Sequence, residues 1–191
     1  MLSGLRHFKE KFLLFKIAHQ KDKNAFGELY NIYRDRLYRF IFFKVSSAEE
    51  AGELTNDVFF KVWRFIQNGG EITSFAALLY STARNAVSDY YRQRGAPIIS
   101  ADYLENLEDP QVAAEDLEQV EIALEKEFDE NRLLEALKRI KDEYREVLVM
   151  RYLDGLPFAE IAQALNKSEG NVRVLVHRAT EALKKKIIPS S

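Results

Sequence analysis

Two groups of cationic and polar side chains are spaced so that they could do chemistry. Arg173, His177 and Arg178 recur at helical intervals shortly after the turn Asn166–Lys167. On the second helix of a helix-turn-helix they would point outward, a geometry suited to the DNA major groove. Upstream, Tyr80, Arg84, Asn85, Ser88, Tyr91, Arg92 and Arg94 share one side of a helical stretch. Rings that stack on bases, interleaved with cations that hold phosphates, suit single-stranded nucleic acid. Each group alone has a plainer reading: a helical hairpin packed as core for the first, a solvated face with some aromatics inside for the second. Catalytic and metal chemistry has no comparable footing. Cys is absent, which excludes disulfides and thiolate metal sites. His7, His19 and His177 are not at ligand spacing to one another. No nucleophile–base pair or glycine-rich phosphate loop stands out, and Glu53 with Asp57 is a carboxylate pair without a pocket signature. We therefore expect no enzyme activity, no cofactor, no metal and no small-molecule substrate.

The elements that must position these groups are all helical. The chain has 191 residues, 47% of them apolar, enough for one or two domains with a core. Apolar positions at helical intervals predict helices over Phe8–Gln20, Lys23–Lys44, Ala48–Gln67 and Ser74–Arg94. The expected inward faces are Phe8, Phe12, Phe15 and Ala18 on the first and Phe26, Leu29, Tyr30, Tyr33, Leu37, Phe40 and Ile41 on the second. On the third they are Leu54, Val58, Val62 and Phe65, and on the fourth Phe75, Leu79, Thr82, Ala83, Ala86 and Tyr90. The basic first helix is read as docking on the adjoining helical domain rather than lying on a membrane surface. Asp22 stands at an N-cap position, and Asn68–Gly69–Gly70 stops the third helix. After Gly95–Ala96–Pro97 comes an acidic connector whose later part, Val112–Phe128, has helical spacing. Helices over Arg132–Ile140, Asp142–Leu153, Pro157–Leu165 and Ser168–Lys186 complete the chain. Pro157 suits a first helical position, Asn166 a left-handed turn and Ser168 an N-cap, while Ile161, Leu165, Val172 and Leu175 meet inside beside Ala162.

Charge is segregated. Residues 1–94 hold 15 basic and 10 acidic side chains, residues 95–130 hold 1 and 12, and residues 131–191 hold 12 and 8. Two basic ends around an acidic middle point to nucleic-acid partners for the ends. No run approaches the about 18 apolar residues of a membrane span, and the Phe12–Phe15 run is too short for a secretory signal. We expect a cytoplasmic protein with no membrane insertion.

Three stretches resemble one family, the bacterial RNA polymerase sigma factors of the small extracytoplasmic-function (ECF) group. Glu53–Leu54–Thr55–Asn56–Asp57–Val58–Phe59 with Val62–Trp63–Arg64 resembles the core-polymerase-binding motif of region 2. Ser74–Phe75 to Leu79–Tyr80, Ala83–Arg84–Asn85 and Asp89–Tyr90–Tyr91–Arg92 are similar to the helix that opens and reads the −10 element. Tyr144–Arg145–Glu146–Val147–Leu148, Glu160–Ile161–Ala162, Gly170–Asn171–Val172–Arg173 and Arg178–Ala179 resemble region 4, which reads the −35 element.

The resemblance implies an all-α chain of two small helical domains: region 2 over 1–94, an acidic linker over 95–130, and a region 4 helix-turn-helix over 131–191. It implies a promoter-specificity subunit that binds core RNA polymerase and assists promoter melting. The polymerase-facing residues would be Glu53, Leu54, Asn56, Asp57, Phe60 and Lys61. The melted −10 strand would meet Asn68, Gly69, Glu71, Tyr80, Arg84, Asn85, Ser88, Tyr91, Arg92 and Arg94, with the 68–73 loop holding a flipped base. The −35 duplex would meet Ser168, Gly170, Asn171, Arg173, Val174, His177 and Arg178, Val174 through a thymine methyl. The linker carboxylates would mimic nucleic acid in the polymerase channel, and an anti-sigma factor is a further implied partner. The chain departs from the family at Leu78, where Trp is usual, at Asn171 for Thr, at Val174 for a polar residue and at Ile140–Lys141 for Leu-Pro. A stand-alone helix-turn-helix repressor, which leaves the Leu54–Phe59 motif unexplained, and an adaptor bundle with merely solvated basic faces are the rival readings.

Overall fold

The computed structural model describes residues 2–45, 47–95 and 135–187, and among them all regular structure is helical. The chain divides into two compact units between Ile98 and Ile99. The acidic connector beyond Gly95, the helix expected at Val112–Phe128 and the start of the one expected at Arg132 lie outside the described residues.

The first unit consists of α1 (Leu2–Gln20), α2 (Lys23–Val45), α3 (Ala48–Gln67) and α4 (Phe75–Gln93). Three of these helices start on a side-chain acceptor. Asp22 Oδ1 takes the N–H groups of Asn24 at 2.9 Å and Ala25 at 3.2 Å. Ser47 Oγ takes that of Glu50 at 3.4 Å, and Ser74 Oγ that of Ala77 at 3.1 Å. Each satisfies donors that the helix cannot. α3 ends as the glycines predict: Gly69 turns left-handed at φ +82°, its N–H donates to Ile66 O, and that of Gly70 donates to Phe65 O, both at 3.0 Å. A side chain on Gly70 would overlap the Phe65 ring where it stands, so the exposed ring packs against the turn only because residue 70 is glycine.

The core of this unit is Leu13 and Ile17 from α1, Leu29, Tyr33, Leu37, Phe40 and Ile41 from α2, Val58, Phe59, Val62 and Ile66 from α3, and Phe75, Leu79, Tyr80 and Ala83 from α4. Two expected faces are corrected. On α1 the aromatic stripe points outward, with Phe12 52% and Phe15 54% exposed and Ala18 exposed as well. The aliphatic pair Leu13 and Ile17 takes the inner side, and buried Glu10, accepting the Tyr33 hydroxyl at 2.7 Å, fixes the helix rotation. On α3, Phe65 is outside and Phe59 and Ile66 fill the inner positions.

In the second unit, residues 135–138 are helical, followed by α5 (Asp142–Leu148), a π-helical turn (Val149–Leu153), α6 (Phe158–Leu165) and α7 (Glu169–Ile187). The helix expected through Leu153 therefore widens in its last turn, closing with Asp154 N–H to Val149 O at 2.9 Å. Gly155 then turns left-handed at φ +68°. Pro157 sits one place earlier than expected, as the extended N-cap residue of α6 (ψ 154°). Asn166 takes φ 54° and ψ 46°, and the Lys167 N–H reaches back to Ala162 O at 2.9 Å. Ser168 Oγ caps α7 by accepting from Asn171 N–H at 3.2 Å. Ile161, Ala162, Leu165, Val172 and Leu175 are buried together as the spacing predicts, with Val147, Met150, Val176, Ala179 and Leu183 around them.

Candidate nucleic-acid interface

α3 is two-faced. Ala51, Thr55, Val58, Phe59, Val62 and Ile66 are buried, and Glu53, Asn56, Asp57, Phe60 and Lys61 are exposed on the other side, with Leu54 half-buried between. The expected polymerase-facing residues thus form one accessible stripe. Phe60 is 59% exposed, and Arg64 lies 5.9 Å from its centroid. Beside it a cleft of about 330 Å³ is lined by Lys23, Phe26, Phe59, Phe60 and Trp63. This cleft was not legible in the sequence because its residues come from two helices.

On α4 the expected −10 set divides. Asn85, Arg92 and Arg94 are exposed, and Arg84, Ser88 and Tyr91 are half-buried. Asn68, Gly69 and Glu71 are exposed in the preceding loop. Tyr80 is a correction. It is 0% exposed and meets the Phe40 ring edge-on at 5.0 Å, so it is core and cannot stack on a base. Leu78, at the departure from the family pattern, is half-buried.

The end of α4 is tied down. The Tyr91 hydroxyl donates to Lys44 O at 2.6 Å, and Arg92 pairs with Asp89 at 3.0 Å. Arg94 pairs with Glu50, which also accepts the Tyr90 hydroxyl. The Tyr90 hydroxyl, with Arg94 and the Ser47 hydroxyl, holds the Glu50 carboxyl below its ordinary value of 4.5 in spite of burial. Burial, followed by Glu50, pushes the Tyr90 phenol up from 10.0. Glu50 and Tyr90 stand outside the site expected from sequence, although Ser47 and Glu50 are at capping-box spacing.

In the helix-turn-helix, Ser168 and Gly170 are exposed, and Asn171, Arg173, His177 and Arg178 are half-buried on the outer side of α7. Val174 is the second correction. It is 5% exposed, packed into the unit although it lies between His177 and Arg178 around the helix, so it cannot reach a thymine methyl. His177 Nδ1 is enclosed and makes no hydrogen bond among the described residues. Phe158 was not anticipated. The guanidinium of Arg151 lies 4.6 Å and that of Arg173 4.5 Å from its ring centroid. Glu169 adds a 3.6 Å pair to Arg173. The ring and carboxylate hold the long Arg173 side chain over the N-terminal half of α7, the part of a recognition helix that meets base edges. Among the described residues no His, Cys, Asp or Glu group could hold a metal ion, and no helix is long and apolar enough to cross a membrane.

The comparisons with known proteins fall on these same two units. The family model described as Sigma-70 region 2 matches residues 29–96, and that described as Sigma-70, region 4 matches residues 130–183. The chain is 31% identical over 175 residues to the ECF RNA polymerase sigma factor BldN of Streptomyces coelicolor, covering 89% of this chain and 63% of that protein. It is also 31% identical over 175 residues to the ECF RNA polymerase sigma factor SigD of Mycobacterium bovis, covering 87% of this chain and 79% of that one. Among solved structures, CnrH in complex with the cytosolic domain of CnrY aligns at a TM-score of 0.61 and 20% identity, over 92% of this chain and 95% of CnrH, a likeness of fold.

Proposed function

The chain belongs to the ECF group of RNA polymerase sigma factors, and from that membership we propose that it binds core polymerase and directs it to promoters through −10 and −35 elements. The observation that carries this reading is the outer stripe of α3. Glu53, Asn56, Asp57, Phe60 and Lys61 are solvent-facing on a helix whose other side is fully committed to the core. That mix of acid, amide, lysine and exposed ring suits a partner surface with basic groups and an apolar anchor. Residues 1–94 serve as the polymerase- and −10-binding part, residues 131–191 as the −35-binding part, and 95–130 as the acidic linker between them.

The melted −10 strand runs along Arg84, Asn85, Ser88, Tyr91, Arg92 and Arg94, with the loop residues Asn68, Gly69 and Glu71 receiving a flipped base. Tyr80 has no part in it. Strand capture by this face assists melting, since single-stranded bases released from the duplex are held as they open. Arg173 reads a base edge in the −35 duplex, Arg178 and His177 flank it, and Ser168, Gly170 and Asn171 hold the backbone at the start of α7. The protein contributes binding and positioning, and polymerase supplies the chemistry. It works in the cytoplasm, where polymerase is, and an anti-sigma factor is a further partner.

The test is to incubate the full chain with bacterial core RNA polymerase and a genomic fragment library and to sequence transcript starts. Discrete starts sharing upstream −35 and −10 motifs are expected. Duplex binding to a palindromic site without polymerase, and no transcription with it, would replace this reading by the repressor one.

A further inference from the structure

We propose that the Tyr90 hydroxyl and the Arg94 guanidinium form a phosphodiester-binding site at the end of α4, which in the free protein is filled by the chain's own Glu50 carboxylate. The proposal rests on the reading of α4 as the helix that carries the melted strand, and deepens it. Glu50 Oε2 accepts from the Tyr90 hydroxyl and Oε1 from Arg94 Nη2, while Arg94 Nη1 also meets the Tyr90 oxygen. The Arg94 guanidinium lies 4.1 Å from the Tyr90 ring centroid. The two donors thus come from the last turn of α4 and from its C-cap, and they converge on one anion. That anion is firmly ionised, since the same donors lower the Glu50 carboxyl.

The arrangement lets one anion replace another. The Arg94 side chain is 56% exposed and that of Glu50 23%, so a ligand approaches from the Arg94 side while Glu50 enters from within. The Tyr91 hydroxyl, bonded to Lys44 O at 2.6 Å, keeps the end of α4 in place when Glu50 leaves. A phosphodiester carries the same single negative charge as the carboxylate, and its two free oxygens match a guanidinium fork and a hydroxyl. The internal carboxylate therefore weakens capture of any stray polyanion. It yields to a strand that the rest of α4 has already aligned.

The test uses the full chain and a short labelled oligothymidylate, with binding followed by fluorescence anisotropy over a series of salt concentrations. Glu50→Gln keeps a side chain suited to the third position of a capping box, and circular dichroism checks that its fold is retained. It is expected to bind about fivefold tighter, the factor that releasing an exposed ion pair permits. Its plot of log K against log salt should be steeper by about 0.7, the increment for one added phosphate on a single strand. Both gains should vanish in Glu50→Gln/Arg94→Ala. Unchanged or weaker binding by folded Glu50→Gln, with Arg84→Ala and Arg92→Ala still impaired, overturns the proposal and leaves Glu50 as a tie between helices. Unimpaired binding by Arg84→Ala and Arg92→Ala, with no gain in Glu50→Gln, overturns the reading of α4 itself.

Discussion

Arg173 and Val174 are neighbours in sequence, one half-buried and the other buried, so under the proposed −35 role of Arg173 substituting each by alanine should separate stability from promoter choice. Val174 is 5% exposed. Its replacement removes two carbons from a packed interior, about 1.6 kcal/mol at about 0.8 kcal/mol per methylene, and with a small cavity contribution the total is about 2 kcal/mol. Arg173 is 40% exposed along its side chain. Its contact with Phe158 at 4.5 Å and its pair with Glu169 are worth together less than about 1.5 kcal/mol at such a surface site. A bidentate base contact, in contrast, is worth about 1–3 kcal/mol, or roughly 5- to 150-fold in discrimination. Stability is read by urea denaturation of the full chain under circular dichroism. Promoter choice is read by transcription with core polymerase from templates varied base by base in the −35 element. Val174→Ala is expected to lower stability and leave the ranking of −35 variants as it was; Arg173→Ala is expected to flatten that ranking at one position with little loss of stability. A folded Val174→Ala that changes the ranking, beside an Arg173→Ala that does not, would refute the assignment of base reading to Arg173 and of packing to Val174.

Substitutions at three further positions bear on the scaffold and the site. Tyr33→Phe removes the donor to buried Glu10 and should cost about 1–3 kcal/mol in denaturant midpoint measurements, since a carboxylate is left without its partner. Asn166→Gly should be neutral or slightly stabilising at φ 54°, whereas Asn166→Val should cost more than about 1 kcal/mol by the same measurement. Glu50 has a folded pKa below its ordinary 4.5, so the unfolded chain takes up its proton first as pH falls. The stability Glu50 contributes is complete above about 4.5 and is lost as pH drops through the folded value. Thermal melts of Glu50→Gln should accordingly show a shallower decline over that acid range than the parent protein.

Much of this architecture could be read from the residues. Helix limits followed from Asp22, Asn68–Gly69–Gly70, Asn166 and Ser168, because capping and left-handed turns depend on one or two side chains acting locally. Helix faces were harder. α1 carries apolar residues on both sides, Phe12 and Phe15 on one, Leu13 and Ile17 on the other, and periodicity alone could not choose between them. The choice was made by a distant contact, that of Tyr33 with Glu10. Tyr80 and Val174 failed for a related reason: each shares a helix side with a residue four positions on, Arg84 and Arg178, and helical spacing does not show where a neighbouring element covers that side, as the Phe40 ring covers Tyr80. The π-helical turn at Val149–Leu153 leaves the apolar pattern intact and so gave no signal. Phe158, Glu50 and Tyr90 gain their roles only when separate elements meet.

The protein has one tryptophan, and it sits where an optical signal is informative. Trp63 lies 4.8 Å from the Phe26 ring in the cleft it shares with Lys23, Phe59 and Phe60, next to the stripe of α3 that we propose meets polymerase. Indole emission depends on how much water surrounds the ring. A partner side chain entering the cleft would shift that emission toward shorter wavelength without any dye being attached. Docking kinetics at this face can therefore be followed by the protein's own light, separately from events at either DNA-binding surface.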